Sequence, residues 1–353
     1  MRGLCIVRLV LFAAACGLGC AGCAGSHITN PPGDGGGGGG GDGGAQVTDG
    51  PRADRTLTPE DLDSSLPVVD GALPTPDAAQ PDAAPPPPCN VMAAFGVPTL
   101  LTVVNSTDID SAPSFSPDGL TLFFSSTRPG GMGAYDIWQS TRPSLTGAFT
   151  TPTLVGGINT AANEYSATLT PDGKTIYFVS ERTDGGALGA GDIWKATRAA
   201  ATGAFGAPTL LGDVSTSAQE TDPWLTPSGA MMFASNRAGA DLLDLWIAPF
   251  NAGTGTFGGA TRLGELASLQ REFGATMTGD GLQVALTSDR SGQFELYLAT
   301  RTTPTGTFSM PTIMTSVNST SSDTGAALSP NGCDLVLTSS RAGGSELYLA
   351  RRP

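Results

Sequence analysis

The chain repeats one pattern five times between Asp110 and Arg352, and this repeat constrains its fold more than any other feature. Each unit contains an acidic residue, a short β-rich run, a turn such as Pro-Asp-Gly, a second apolar run followed by an arginine, and a strand that begins with Asp or Glu. The period is 51 to 56 residues, as shown by the turn glycines Gly119, Gly173, Gly229, Gly281 and Gly332. A fixed period of this size, with three or four strand-like runs in each unit, predicts a β-propeller.

Each unit is expected to supply four strands, which we label a to d from the axis outward. Strand a precedes the turn, and strand b follows it as a nearly continuous apolar run such as LTLFFSS or TIYFVS. Runs of this kind are typical of strands that are covered on both faces, as they are when blades stack. Strand c carries the aromatic residue of DIW or ELY, and a Gly-x-Phe-x-x-Pro phrase introduces strand d.

The last unit lacks a strand d, because the chain ends at Pro353 just after strand c. The missing strand is found near the start of the repeat region, where AFGVPTLL from Ala94 nearly duplicates AFGAPTLL from Ala204. We therefore predict an all-β fold, a five-bladed β-propeller over residues 89–353 that the N-terminal strand closes without an exposed edge.

The phrases SFSPDGLTLFFSSTR and TLTPDGKTIYFVSER, each followed by DIW, resemble the WD-like propeller repeats of TolB-type periplasmic proteins. The resemblance covers about residues 94–352. It implies an extracytoplasmic, non-catalytic module that binds protein or cell-envelope components. TolB-type proteins have six blades and an additional domain, and neither feature is found in this sequence, so the resemblance concerns the type of repeat.

Residues 1–23 have the composition of an export signal, with arginines near the start, an apolar stretch and then small residues around cysteines. The pattern resembles a bacterial lipoprotein cleavage site, and we predict lipid attachment at Cys20, with Cys16 and Cys23 as the other candidates. Ordinary cleavage without a lipid is the alternative. Residues 24–88 are rich in Gly, Pro and Asp and have almost nothing to bury, so they are predicted to be a disordered tether. The protein would then be membrane-anchored in the periplasm or at the cell surface.

From Cys89 onward, the segment we call the head carries 22 carboxylates against 14 Lys and Arg residues. This negative charge argues against a nucleic-acid partner and favours a basic protein or envelope component. The one histidine of the chain is His27, in the predicted tether, so the head has no histidine for a Ser-His-Asp triad or a His-ligated zinc site. We expect no cofactor, and calcium in the central channel is an open alternative.

An acidic residue stands nine positions before each turn glycine, and an arginine stands eight or nine positions after it. Positions equidistant from a hairpin turn face each other, so acid and arginine are expected to be cross-strand neighbours. Repetition in every unit favours structural ion pairs in which each arginine lies between this acid and the acid that opens strand c. The surplus negative charge could also bind a cationic partner or a metal ion on the same face. The acids are Asp110, Glu164, Glu220, Glu272 and Asp323, and the arginines are Arg128, Arg182, Arg237, Arg290 and Arg341.

Trp224 breaks the repeat, since the other units have a small residue at its position in strand a. Asp222 precedes it by two residues and is expected on the same side of the strand. The pair either fills space between blades or marks a local pocket near the inner strands, and we include both as candidate ligand-binding residues.

The sequence favours a non-catalytic binding protein, with a carbohydrate-active propeller enzyme as the alternative. A glycosidase needs a pair of carboxylates across the channel, and such acids should be unique to their blades rather than repeated beside arginines. Finally, Cys89 and Cys333 are predicted to form a disulfide, because they are the two cysteines outside the export signal and strands b and d of the last blade bring them to the same end.

Overall fold

A computed structural model describes residues 89–237 and 242–353, and every regular element in these residues is a β-strand. The predicted export signal, the tether and Cys20 lie outside the described residues. Five four-stranded antiparallel sheets account for all strands except one short two-stranded hairpin. The five-bladed propeller predicted from the repeat is confirmed.

Each blade runs from an inner strand a to a short outer strand d. The chain enters with β1 (Thr99–Leu100), which belongs to the last blade. Blade 1 consists of β2 (Asp110–Phe115), β3 (Thr121–Ser126), β4 (Asp136–Thr141) and β5 (Thr153–Leu154). Blade 2 consists of β6 (Glu164–Leu169), β7 (Thr175–Ser180), β8 (Asp192–Thr197) and β9 (Thr209–Leu210). Blade 3 consists of β10 (Glu220–Leu225), β11 (Met231–Ser235), β12 (Asp244–Ala248) and β15 (Thr261–Arg262), with the hairpin β13 (Phe250–Asn251) and β14 (Thr256–Phe257) inserted before its outer strand. Blade 4 consists of β16 (Glu272–Met277), β17 (Gln283–Ser288), β18 (Glu295–Thr300) and β19 (Thr312–Ile313). Blade 5 consists of β20 (Asp323–Leu328), β21 (Asp334–Ser339), β22 (Glu346–Arg351) and β1.

The hydrophobic core is divided among the interfaces between blades. Phe123 of blade 1 packs with Ile176 and Phe178 of blade 2, and equivalent clusters join every other pair of neighbouring blades. The b strands are almost wholly buried, which explains why their sequences are apolar at consecutive positions rather than at alternate ones. Burial of both faces of every blade therefore holds the ring together.

The N-terminal segment closes the ring as predicted. Thr99 pairs with Leu349 and Leu100 with Tyr348, so β1 forms the outer edge of blade 5. Cys89 and Cys333 form a disulfide with their Cα atoms 5.7 Å apart, which confirms the pairing expected from the sequence. The guanidinium of Arg352 also lies over the ring of Phe95, 4.1 Å from its centroid. The two ends of the head are thus joined by backbone pairing, a covalent bond and side-chain packing.

Each inner strand contains a β-bulge at the axis of the ring. The pairing of strands a and b shifts register at the same place in all five blades, for example between Ser111 and Ser114. One residue in each bulge has a left-handed backbone, with φ between 48° and 57°, and these residues are Ala112, Ser166, Asp222, Gly274 and Gly325. Left-handed backbone is uncommon for residues other than glycine, so three of the five bulges hold a non-glycine residue under local strain. We call these five residues the bulge ring.

Within the described residues, no helix is long and apolar enough to cross a membrane.

Candidate functional site

The acids predicted to bind a ligand are buried inside the blades. Their side chains are 0% exposed, and each pairs with the arginine two residues beyond the end of strand b, at distances of 2.5 to 3.3 Å. The predicted ion pairs are confirmed. However, the expectation that Asp110, Glu164, Glu220, Glu272 and Asp323 present surplus charge to a partner is wrong for this structure, because protein atoms cover all five carboxylates.

Glu164 in blade 2 shows how these carboxylates are satisfied. It accepts hydrogen bonds from the Thr160 backbone N–H at 2.6 Å, the Thr160 hydroxyl at 2.7 Å and the Ser180 hydroxyl at 2.7 Å, in addition to Arg182 at 3.3 Å. The Asp or Glu therefore fixes the loop that leads into strand a as well as the end of strand b. A buried carboxylate needs this number of donors, since an unpaired charge would be expensive in the interior.

Within the part of the chain that the structure describes, none of these arginines bridges two carboxylates, so that part of the prediction is also wrong. Arg182 donates instead to the Ser180 hydroxyl and the Ile158 carbonyl, both at 2.9 Å, and its guanidinium lies 4.7 Å from the ring of Trp194. Asp192, which was expected as the second partner, accepts the N–H groups of Leu188 and Gly189 and so shapes the loop before strand c. The same arrangement of hydroxyl, carbonyl and aromatic ring surrounds Arg128, Arg237, Arg290 and Arg341.

Asp222 is the charged member of the bulge ring. Its Oδ1 accepts from the Ser166 hydroxyl of blade 2 at 2.6 Å, and its Oδ2 accepts from the Gly274 N–H of blade 4 at 3.2 Å. At two other blade interfaces, a hydroxyl near the end of strand b accepts a hydrogen bond from the backbone N–H of the bulge residue in the next blade. Ser125 accepts from the N–H of Ser166, and Thr287 accepts from the N–H of Gly325. Blade 3 has Ala234 at this position of strand b, and Asp222 replaces the missing hydroxyl. The carboxylate thus joins three blades across the axis.

Burial raises the pKa of the Asp222 carboxyl above its ordinary value, and the hydrogen bonds from Ser166 and Gly274 oppose that rise. In the described residues no arginine or lysine forms a salt bridge with Asp222, in contrast to the five acids at the starts of the inner strands. Asp222 is therefore a carboxylate at the centre of the propeller without a cation beside it.

A cavity of about 70 Å³ opens above Asp222, on the face that carries the loops between strands d and a and between strands b and c. We call this cavity the funnel. Its aromatic lining comes from Tyr135, Tyr165, Phe273 and Phe294, and the rings of Phe273 and Phe294 meet edge to face at 5.4 Å. The floor consists of bulge residues, including Asp222 and Gly274. A concave site with apolar and aromatic walls and a few polar groups is the usual form of a ligand-binding pocket.

One further charged group, Arg271, lines the funnel, and another, Glu181, lies beside one of its lining residues. Arg271 lines it, but both Nε and Nη2 donate to Asp289 Oδ2, at 2.9 and 2.6 Å, so its charge is compensated. Glu181 lies beside Tyr165, whose hydroxyl is 3.5 Å from Glu181 Oε1. Burial raises the pKa of Tyr165, and the negative charges of Glu181 and Asp222 raise it further. Tyr165 thus lies between two carboxylates, one of which, Asp222, lines the funnel.

Trp224 borders one of the two cavities that Asp222 borders, and it does not line the funnel. The bulge shifts the register between Thr221 and Trp224, so the simple alternation that put both residues on one side does not hold. Trp224 packs against the cluster between blades 3 and 4 and lines a smaller cavity of about 30 Å³, which lies on the a–b turn side of the bulge ring. Asp222 borders both cavities.

The sequence reasoning missed most of the funnel. Its walls come largely from the positions directly before and after the acid of strand a, such as Phe273, and from the position before the acid of strand c, such as Tyr135 and Phe294. These positions differ from blade to blade, whereas the acids next to them recur. A sequence signal for the funnel therefore exists: the residues at these positions of the repeat change from blade to blade, while the neighbouring acids that the fold requires stay the same.

No group of three or more His, Cys, Asp or Glu side chains in residues 89–237 and 242–353 is arranged to hold a metal ion. The sequence-based alternative of a calcium ion in the channel gains no ligand set from these residues.

No protein-family model matches the chain, and no curated protein matches it. Among solved structures, a family 117 glycoside hydrolase of Zobellia galactanivorans is 13% identical, with a TM-score of 0.51 over 74% of this chain and 91% of that one. A TolB-like protein of Agrobacterium tumefaciens is 22% identical, with a TM-score of 0.42 over 67% of this chain and 72% of that one. An endo-arabinase of Bacteroides thetaiotaomicron is 11% identical, with a TM-score of 0.49 over 74% and 98%. At these identities the similarity is one of fold alone, and it does not separate a binding protein from an enzyme.

Proposed function

We propose that this chain is an exported binding protein, anchored to the cell envelope by a lipid on Cys20, whose propeller holds a protein or envelope component in the funnel. The observation that carries the proposal is the contrast between two sets of residues around the axis. The recurring acids and arginines pair with each other inside the blades. The neighbouring residues, which differ from blade to blade, form a cavity with aromatic walls that opens to one face.

The architecture of the floor supports a receptor that performs no reaction. Both oxygens of Asp222 already accept hydrogen bonds from neighbouring blades, which fixes the carboxylate in place. Asp222 is also the one carboxylate among the residues that line the funnel in the described part of the chain. Glycoside hydrolysis uses two carboxyl groups on either side of the scissile bond, so this floor is better suited to holding a ligand than to cleaving one.

Site-directed photo-crosslinking in the cells that produce the protein tests the proposal. A crosslinking amino acid replaces Tyr135 at the funnel, and a matched control replaces Met310, which is 81% exposed in the segment between strands c and d of blade 4. We expect a specific adduct from the Tyr135 position and none from the Met310 position. Adducts at Met310 alone would place the partner on the side of the ring.

The enzyme alternative is tested on the same purified protein with a panel of aryl glycosides. Asp222 is unique to its blade, and Glu181 is the carboxylate next to it across Tyr165, so these two acids are the strongest catalytic candidates. Turnover that disappears in both Asp222→Asn and Glu181→Gln would replace the proposed function with a glycosidase.

A further inference from the structure

The funnel contains a charge that its surroundings do not balance. Each of the five strand-a acids is neutralised by its own arginine, whereas Asp222 is held by a hydroxyl and a backbone N–H, which are neutral donors. The two hydrogen bonds reach different oxygens of Asp222, so an amide side chain would turn its NH2 group toward one of the two donors, and the position requires a carboxylate. Burying a carboxylate at this place costs free energy of desolvation, and a cation that pairs with it offsets part of that cost.

The walls of the funnel suit a cation as well. Aromatic faces attract ammonium groups through their quadrupoles, and the attraction grows when water is excluded. Tyr135 and Phe273 supply aromatic rings to the same cavity that Asp222 lines. The arginine in the wall, Arg271, is already paired with Asp289 and therefore leaves the negative charge of the floor in place.

Two hydroxyls in the funnel have no hydrogen-bond partner in the described residues. Ser111 Oγ and Thr338 Oγ1 both line the cavity, and the two residues are 3% and 5% exposed. Buried hydroxyls normally have a partner, so their position marks a place for a polar ligand group. An ammonium group has three N–H donors and no acceptor, so acceptor oxygens of this kind suit it.

We propose that the funnel binds a primary ammonium group, which pairs with Asp222 and is enclosed by the aromatic rings. A lysine side chain, a free N-terminus or a small amine can carry this group, since all three present the same donors. The inference rests on the proposed function, because it specifies what a partner places in the funnel. The cavity of about 70 Å³ exceeds the roughly 10–15 Å³ that one water needs on the same measure, so it has room for the end of an alkylammonium chain.

Binding of small probes to the purified protein by NMR saturation transfer and calorimetry tests this inference. The probes are n-butylammonium, neutral 1-pentanol of similar shape, a tripeptide with a lysine side chain and blocked ends, and a tripeptide with a free N-terminus and no lysine. We expect n-butylammonium to bind at least about tenfold more tightly than 1-pentanol, because a hydrogen bond to a charged group is worth more than one to a neutral group. The two peptides then show which source of the ammonium group fits.

Variants separate the site from general attraction to an acidic protein. Asp222→Asn should weaken n-butylammonium about tenfold or more, whereas Asp108→Asn, which removes an exposed charge on the same face, should leave it unchanged. Since Asp222 also joins blades, Tyr135→Leu provides a second variant that leaves the floor intact, and it should weaken the ammonium but not 1-pentanol. Equal binding of the charged and neutral probes, or equal effects of Asp222→Asn and Asp108→Asn, would overturn the inference.

The outcomes also distinguish this inference from the proposed function. A crosslinked partner at Tyr135 with no ammonium selectivity would retain the receptor and reject the ammonium. Binding of n-butylammonium without any crosslinked adduct at Tyr135 would support the ammonium site and contradict the proposal that a protein or envelope component occupies the funnel.

Discussion

Replacing Glu164 by Gln should destabilise the propeller because it removes the charge of a fully buried carboxylate that pairs with Arg182. The carboxylate accepts four hydrogen bonds, from the N–H and hydroxyl of Thr160, the hydroxyl of Ser180 and the guanidinium of Arg182. The glutamine oxygen can accept some of these, but its NH2 group must face donors where the second carboxylate oxygen stood. The guanidinium of Arg182, with 10% side-chain exposure, would lose its counter-charge.

Breaking a buried ion pair by removing one partner costs about 3–5 kcal/mol of stability. We expect a loss near the lower end, about 3 kcal/mol, because Arg182 is slightly exposed and glutamine keeps some of the hydrogen bonds. For a domain of this size, each kcal/mol lowers the melting temperature by about 2–4 °C, so a fall of roughly 6–12 °C is expected. Urea denaturation followed by circular dichroism gives the free energy, and differential scanning calorimetry gives the melting temperature.

Asp184→Asn is the matched control, because Asp184 is an exposed acid in the same blade and its loss should change stability by no more than about 0.5 kcal/mol. If Glu164→Gln were as mild as this control, the recurring acids would not be structural residues, and the reasoning that separates them from the funnel would fail.

Three further predictions concern the disulfide, the anchor and the axial carboxylate. Replacing Cys89 and Cys333 together by Ser should lower the free energy of unfolding by about 5 kcal/mol in the chain-entropy model, since the bond closes a loop across 244 residues. A loss below about 1 kcal/mol in chemical denaturation would show that the pairing of β1 is enough to keep the ring closed. Metabolic labelling with a fatty-acid analogue should mark the wild type and not Cys20→Ser, while label that survives the change would move the site to another cysteine. The pKa of Asp222 is raised on folding, so its stabilising contribution is fully present below the unfolded value of 3.8 and is lost as pH rises through the folded value. The stability of the wild type relative to Asp222→Asn should therefore decrease from about pH 3 to about pH 7, and a difference that is flat with pH would contradict the burial of this charge.

The repeat predicted the architecture well because each signal in it is local. A Pro-Asp-Gly turn fixes the hairpin of strands a and b, and its glycine has the left-handed backbone that the turn requires, as at Gly119 with φ of 71°. The missing strand d of the last unit and its near-duplicate at Ala94 predicted the closure by β1 in the same way. The pairing of acid and arginine followed from counting outward from the turn.

The bulges could not be read from the sequence, and they explain the errors near the axis. Glycine occupies the bulge position in blades 4 and 5, but Ala112, Ser166 and Asp222 occupy it elsewhere, so no residue type marks it. The extra residue reverses the alternation of side chains after the bulge. Trp224 therefore borders the smaller cavity and not the funnel, whereas Asp222 borders both, although strict alternation puts the two side chains on one side.

The partners of the arginines were misassigned for a different reason. Counting residues showed that two carboxylates could come near each guanidinium, but it gave no information on carbonyl groups in the preceding d–a loop. In the structure the Ile158 carbonyl takes a hydrogen bond from Arg182, and the ring of Trp194 covers the guanidinium. Asp192 serves its own loop instead. Competition from backbone acceptors is a tertiary effect that spacing along the chain does not reveal.

The most direct test of the account compares two double variants in their affinity for the partner that crosslinks at the funnel. Tyr135→Ala with Phe294→Ala removes two aromatic walls, and Glu220→Gln with Glu272→Gln alters two of the buried acids. The account predicts that the first variant loses at least about tenfold in affinity, since central aromatic residues dominate binding energy, while the second binds normally at a temperature where it is folded. Loss of binding in the acid variant, with normal binding in the funnel variant, would contradict the claim that the variable residues at the axis form the binding site.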